Sequence, residues 1–468
     1  MWDLLKTKGS IAFIDDRGNS VSYRELHDIS LRFGQIMESR VLVALFCQNS
    51  IGSAIGYVSF INNGMVPLMI NSMLEYELRN KLLMTYLPQY LWIPNSMLPE
   101  FDKLEIVISL YGYSLCKTNY DRKYALNDKL ALLLTTSGST GSPKYVRQSY
   151  ENIRVNTESI VEYLHLDEKE RAITTLPMNY TYGLSIINTH IKVGATVLIT
   201  DKSIIQKEFW QFLNEQRATS FGGVPYTYEI LKRIKFMKME NPSLTTMTQA
   251  GGKLSPELHE EFARFADQKG KKFIVMYGQC EATARMGYLP ADKAIEKKGS
   301  IGIPVPGGTF TLVNDKGDAI DKAYTVGELV YKGGNVTLGY AECGDDLAKG
   351  DERRGILYTG DMAQIDDDGF YYIVGRKKRF LKVYGNRVNL DELDILIKSR
   401  FGSVECACSG IDDHIYIFIS DDSLSIDIKE YVVAKTGLNP AAYRVVVIDE
   451  IPKTDSGKIM YSELAKYY

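Results

Sequence analysis

The stretch Thr135-Thr136-Ser137-Gly138-Ser139-Thr140-Gly141-Ser142-Pro143-Lys144 gathers hydroxyls, glycines and a lysine into one loop. Glycine permits the tight bends that turn successive backbone N–H groups toward a common point, and such a nest binds an anion. The hydroxyls of Thr136, Ser137, Ser139 and Thr140 add donors, Gly138 and Gly141 supply the bends, and Lys144 adds positive charge. The composition is that of a phosphate cradle. It is not the P-loop G-x-x-x-x-G-K-[ST], whose spacing the segment does not satisfy. A flexible Ser/Gly linker is the competing reading, but a linker would not follow so directly on the apolar run Leu130–Thr135 (LALLLT).

Apolar runs of this kind recur and define the elements that must hold such a loop. Residues 41–47 (VLVALFC), 66–70, 90–93 and 130–135 read as buried strands, with a helix over residues 53–62. Downstream, residues 195–200 (ATVLIT), 219–224 (TSFGGV) and 273–277 (FIVMY) repeat the strand-then-loop pattern. This alternation predicts α/β layers with largely parallel sheets. After Gly299 turn signals such as Asn314-Asp315-Lys316-Gly317 and Asp366-Asp367-Asp368-Gly369 separate alternating strands, which predicts a small antiparallel β unit. A basic run at residues 376–379 (RKKR) precedes a compact tail with a helix over residues 392–399 and a strand over residues 415–419. The expected division is residues 1–377 and residues 378–468.

The chain of 468 residues is 45% hydrophobic, which suffices for a sizeable core. Its 55 basic and 58 acidic residues give a net charge of −3, which argues against a broad nucleic-acid-binding surface. Of six cysteines only Cys406 and Cys408 are close, and a C-x-C pair without nearby His is a poor zinc site, so free or structural thiols are expected. No apolar run at the N-terminus suggests a signal peptide, and none approaches a membrane span. The expectation is a cytoplasmic, reduced protein.

From Val21-Ser22-Tyr23-Arg24-Glu25-Leu26 to Lys458 the sequence resembles the adenylate-forming superfamily of acyl-CoA synthetases, peptide-synthetase adenylation domains and luciferases. The resemblance implies a large N-terminal domain of layered α/β sheets plus a small β unit, followed by a small mobile α+β C-terminal domain. It implies that the Thr136–Gly141 region with Lys144 holds the ATP β- and γ-phosphates, although Tyr145 stands where the family usually has Gly. Leu176-Pro177-Met178-Asn179-Tyr180-Thr181-Tyr182-Gly183 resembles the segment lining the acyl pocket, with Asn179 and Tyr180 in place of Phe-His. Peptide-synthetase domains carry an Asp here for an α-ammonium; its absence disfavours an amino acid substrate. Phe221, Gly222, Gly223, Pro225 and Arg285 are further pocket candidates. With few charges among them a neutral acyl or aryl acid is favoured, Arg285 leaving a dicarboxylate open.

The remaining motifs fall in the family's order. Gln249-Ala250-Gly251-Gly252 and Tyr277-Gly278-Gln279-Cys280-Glu281 resemble the adenine site, with Gly251 and Gly252 against one face of the ring and Tyr277 on the other. Glu281 matches the family's magnesium ligand, and Cys280 replaces the usual Thr. Asp361, in Tyr358-Thr359-Gly360-Asp361, matches the residue that accepts from both ribose hydroxyls, and Arg376 the adjacent ribose- or phosphate-contacting Arg. Lys378 stands at the family's hinge, and Gly385, in Tyr384-Gly385-Asn386, at the thiol tunnel. Lys458, in Pro452-Lys453-Thr454-Asp455-Ser456-Gly457-Lys458, matches the lysine bridging the substrate carboxylate and the α-phosphate. The implied activity is ATP- and magnesium-dependent formation of an acyl-adenylate from a carboxylic acid, then transfer to coenzyme A. An acyl carrier protein phosphopantetheine as acceptor and a non-catalytic nucleotide- or acyl-binding relative are the alternatives.

Overall fold

A strand that is apolar residue after residue needs cover on both faces, which a sheet layered with helices provides. The computed structural model describes residues 1–5, 9–101, 104–120, 122–135, 144–384, 386–402, 404–454 and 459–468. In it Leu130–Thr135 is such a strand, buried up to Leu134, parallel to Val66–Asn71 and antiparallel to Tyr145–Ser149. Among the described residues this sheet has eight strands and a second sheet has nine. One core joins them: it contains Val43, Leu45, Leu132 and Leu134 of the first sheet and Phe13 and Val197 of the second. The helices Ile51–Asn62 and Thr181–Val193 contribute Ile55, Val58, Leu184 and Ile187 to the same core. The layered α/β class expected from the sequence is the one observed.

The helix Ile51–Asn62 is buried on nearly every side, as an all-round apolar helix must be. It begins two residues earlier than the sequence pattern predicts because the Ser50 side chain accepts from Ser53 N. Its glycines admit Trp92, whose indole Nε1 donates to Gly52 O at 2.8 Å. A Cβ at Gly56 would lie 2.3 Å from that nitrogen.

The nine-stranded sheet sets the stage for chemistry. Arg171–Ile173, Ser220–Gly223, Thr246–Gln249 and Lys272–Tyr277 run parallel as successive neighbours, with Ile173 opposite Phe221, Gly223 opposite Gln249 and Gln249 opposite Val275. Their carboxyl ends therefore stand side by side. In open parallel sheets that edge is where ligands bind, because the loops leaving the strands form a crevice there.

The chain divides into two compact units, Met1–Thr309 with Tyr331–Leu357, and Phe310–Val330 with Tyr358–Tyr468. Both large sheets belong to the first. The second holds a four-stranded sheet in which Ile356–Ile365 pairs antiparallel with Tyr371–Arg376. It also holds a three-stranded sheet packed with the helices Leu390–Phe401 and Ser425–Thr436, whose Leu393, Ile397, Ile428 and Val432 share a core with Ile415 and Ile417. The division expected at Lys378 falls inside this second unit. Among the described residues no helix is long and apolar enough to cross a membrane.

Gly56→Ala tests the packing. Alanine gains about 1 kcal/mol of helix propensity, whereas forcing a methyl against a hydrogen-bonded indole costs about 1–3 kcal/mol. Overpacking should prevail, and the urea midpoint should fall; a raised midpoint would show that Trp92 yields freely.

Candidate active site

Gly251 and Gly252 leave the carboxyl end of Thr246–Gln249. Gly251 has φ +83°, a conformation that side chains strain to adopt, and a Cβ there would stand 2.6 Å from Tyr180 Oη. Buried Gln249 fixes the turn, its Nε2 donating to Gly252 O at 2.9 Å and Ala250 O at 3.2 Å. The neighbouring strand ends in Tyr277, whose hydroxyl accepts from Gln279 Nε2 at 3.4 Å. Gly278 has no room for a side chain, because a Cβ would lie 1.7 Å from Ala284 O. The residues expected to hold a flat ring thus leave two adjacent strand ends.

The loop that follows is strained and tightly stitched. Thr283 has φ 67° and ψ −62°, and Ala284 N donates to Ala282 O at 2.7 Å, which makes a γ-turn centred on a β-branched residue. Such a conformation costs about 1–3 kcal/mol and persists only where neighbours enforce it. Buried Asn335 does so: its Nδ2 donates to Ala282 O and to Arg285 O, both at 2.9 Å, and its carbonyl accepts from Thr283 Oγ1 at 2.7 Å. Asn156 grips the same peptide, with Nδ2 donating to Arg285 O at 2.8 Å and Oδ1 accepting from Arg285 N at 3.3 Å.

Glu281 sits at the head of this loop. Its carbonyl accepts from Thr337 N and Thr337 Oγ1, each at 3.0 Å, and from Arg353 Nη1 at 3.1 Å. Its Oε1 accepts from the Tyr340 hydroxyl at 2.7 Å. Burial, and then the Glu281 carboxylate, hold that hydroxyl well above the ordinary tyrosine pKa, so it stays a donor. Lys144 Nζ lies 3.9 Å from the centre of the Tyr340 ring and 3.1 Å from Glu342 Oε1. The Arg353 guanidinium lies 4.5 Å from the same ring. Tyr340 thereby brings the lysine of one motif and the carboxylate of another to a single side chain. Fully buried Arg147 pins this stretch to the sheet, reaching Glu352 Oε2 at 2.6 Å, Tyr340 O at 2.9 Å and the carbonyl of Lys349. Glu281 as a single carboxylate suits magnesium, which is typically bound through one or two carboxylates with substrate phosphates and water. No cluster of three or more His, Cys, Asp or Glu able to cage another metal occurs among the described residues.

Tyr182 is buried, its hydroxyl 2.7 Å from Thr248 Oγ1, and a Cβ at Gly222 would lie 2.8 Å from that hydroxyl. Tyr180 and Asn179 are half-buried beside it. Gly183 allows the helix start to approach Pro177, where a Cβ would lie 2.3 Å from the carbonyl oxygen. At Gly223 a Cβ would lie 2.9 Å from Thr227 and Tyr228. Phe221 alternates to the opposite face from Gly222 and packs edge-to-face on Phe236 in an aromatic core. Cys280 lies 3.6 Å from Thr181 Oγ1. Tyr145 is a core residue, its ring edge-to-face with Tyr86, which accounts for the bulk at a position where the family uses Gly.

Thr136, Ser137, Gly138, Ser139, Thr140, Gly141, Gly385 and Lys458 lie outside the described residues. The strands on either side of the phosphate-loop motif place Thr135 opposite Tyr145. In the second unit buried Asp361 lies opposite Arg376, whose Nε is 2.6 Å from Asp361 Oδ1. Lys377 Nζ pairs with Glu328 at 2.6 Å. Arg379 pairs with Asp391 and with Asp394 at 2.6 Å, so the residues flanking Lys378 are tied to different elements. Burial raises the Cys406 thiol to about 12 and holds the Cys408 thiol well above its ordinary range, in keeping with inert core thiols. Sequence reasoning missed Asn156, Asn335, Tyr340 and Arg353, which work through contacts far along the chain and carry no local pattern.

The AMP-binding enzyme family matches residues 2–341. The oxalate–CoA ligase of Arabidopsis thaliana is 26% identical over 355 residues, 73% of this chain and 68% of that protein. The 2-succinylbenzoate–CoA ligase of Geobacillus sp. (strain WCH70) is 25% identical over 477 residues, 98% and 94% of the two chains. The fold resembles that of o-succinylbenzoate CoA synthetase from Bacillus subtilis, solved with its acyl-adenylate intermediate, with a TM-score of 0.78, 21% identity and coverage of 99% and 98%.

Asn335→Ala tests the stitching. It orphans two buried carbonyls and the Tyr331 hydroxyl that Asn335 Oδ1 accepts from. At roughly 1 kcal/mol for each hydrogen bond, more where the group stays buried, the loss should be about 2–4 kcal/mol in urea unfolding. A loss below about 1 kcal/mol would mean that Asn156 and Thr337 hold the loop without it.

Proposed function

Since the chain belongs to the AMP-binding enzyme family, we propose that it joins a carboxylic acid to the α-phosphate of ATP, releasing pyrophosphate, and passes the acyl group to coenzyme A. The observation that carries this reading is the convergence of Lys144 and Glu281 on Tyr340, in the unit whose strand ends carry the glycine pair, with Tyr180 and Tyr182 beside it. The names of the curated relatives, CoA ligases of several acids, support coenzyme A as acceptor. Free cysteines suit a cytoplasmic location.

The chemical problem is electrostatic. A carboxylate and a polyphosphate repel, and holding them in attacking geometry is worth ~7–11 kcal/mol of the barrier. Lys144 offsets phosphate charge, and Tyr340 fixes its place through the ring face. Magnesium held by Glu281 and the phosphates would supply Lewis-acid charge. Asp361, steadied by Arg376, accepts from the ribose hydroxyls. Gly251 and Gly252 admit adenine beside Tyr277. Lys458 bridges the acid and the α-phosphate during adenylate formation. The chain then pivots at Lys378, between the Lys377–Glu328 and Arg379–Asp391/Asp394 anchors, to withdraw Lys458 and bring Gly385 to the thiol path.

Purified protein should catalyse acid-dependent, magnesium-dependent ATP–pyrophosphate exchange. Lys458→Ala should lower it by several orders of magnitude while still forming thioester from supplied acyl-adenylate, since the lysine has then left the site. No exchange by folded, ATP-binding protein across a broad acid panel overturns the ligase reading; equal loss of both steps overturns the two-conformation scheme.

A further inference from the structure

Among the described residues three arginines are buried, at 3% exposed or less: Arg79, Arg147 and Arg285. The first two are compensated. Arg79 pairs with Glu100 at 2.6 Å, and Arg147 pairs with Glu352 at 2.6 Å and holds several backbone carbonyls. Arg285 differs. Its Nε donates to the Met276 thioether at 3.4 Å, a weak acceptor, its guanidinium lies 3.9 Å from the centre of the Tyr182 ring, and the phenols of Tyr163 and Tyr180 are further polar neighbours. No carboxylate or carbonyl meets the guanidinium among the described residues. A buried cation without an anion is strongly unfavourable, and a tyrosine face offsets only part of that penalty.

The backbone of Arg285 is nevertheless held rigidly, by Asn335 and twice by Asn156. The protein thus fixes a guanidinium without a counter-ion against Tyr182, a residue of the segment expected to line the acyl site. The γ-turn at Thr283 separates it from Glu281: the carboxylate meets Tyr340 beside Lys144, whereas the guanidinium meets Tyr182 and Tyr163. Two charges leave one loop toward two sets of partners, one suited to the phosphate end of the reaction and the other to the far end of the acid.

We propose that Arg285 binds a second carboxylate on the substrate, so that the acid activated here is a dicarboxylic acid whose non-reacting end pairs with the guanidinium. This rests on the acyl-pocket reading above and reverses the preference for a neutral acid that the pocket's low charge suggests in sequence. Arg285 then acts as a specificity-determining group: its planar fork matches a carboxylate bidentately, and the substrate supplies the anion that the fold withholds.

The test pairs diacids with monoacids of equal chain length: succinate, glutarate, adipate and phthalate against butyrate, valerate, hexanoate and benzoate. Binding is measured by calorimetry in the presence of AMP, and turnover by pyrophosphate exchange, for the wild type, Arg285→Gln and Arg285→Lys. At least one diacid should bind about tenfold or more tighter than its monoacid partner, as expected for a charge-assisted pair. Arg285→Gln should erase that preference, whereas Arg285→Lys should restore part of it. Thermal melts of the three proteins separate this from a folding defect; if the Gln variant unfolds, the Lys variant and the wild-type diacid preference carry the decision. Equal handling of diacids and monoacids by the wild type, or a diacid preference that survives Arg285→Gln, overturns the proposal. Arg285-dependent diacid binding without exchange supports the anion site and overturns the ligase reading. Monoacid exchange indifferent to Arg285 does the reverse.

Discussion

The hold of Asn335 on two carbonyls of one loop is the constraint on which the site depends. Ala282 O and Arg285 O both accept from its Nδ2, and the Thr283 hydroxyl returns a bond to its carbonyl. Without those bonds the positive-φ turn at Thr283 would relax, since nothing in a β-branched residue favours it. With them, Glu281 and Arg285 are held four residues apart with different partners. Thr337 and Arg353 then close on the Glu281 carbonyl and Tyr340 on its carboxylate.

Tyrosine does much of the placing. Tyr340 presents a donor to Glu281 and a ring face to Lys144 and Arg353, so one side chain positions an acid and two bases without making an ion pair among them. Tyr182 plays a similar part for Arg285 and Thr248. An aromatic body with a polar tip fits the boundary between a packed core and a wet site. Structural charge is handled differently: Arg147 donates to Glu352 and to a row of carbonyls, and so fastens the segment bearing Tyr340 to the sheet.

The layered fold was legible because its signal is repetitive. Residues 130–134 and 273–276 are apolar throughout, and each run is followed in sequence by turn-forming residues, Gly138 after the first and Gly278 after the second. Helix starts were less legible: Ser50 and Asn389 cap their helices at Ile51 and Leu390, ahead of the apolar periodicity. Candidate site residues announced themselves by type and spacing. Those that aim them did not, because Asn156 and Asn335 look like any buried or turn asparagine until the chain brings them to Arg285. Phe221 shows the opposite limit. It stands beside Gly222 in sequence, yet strand alternation sends its ring into the aromatic core with Phe236.

The central claim is that the acid attacks the α-phosphate, and the fate of one oxygen tests it most directly. With an acid that supports turnover, its carboxylate labelled with heavy oxygen, complete conversion to thioester should leave one heavy oxygen in AMP and none in pyrophosphate, read by mass spectrometry. Label in inorganic phosphate with ADP as co-product, or AMP that stays unlabelled while thioester forms, would contradict an acyl-adenylate route and with it the roles given to Lys144, Glu281 and Lys458.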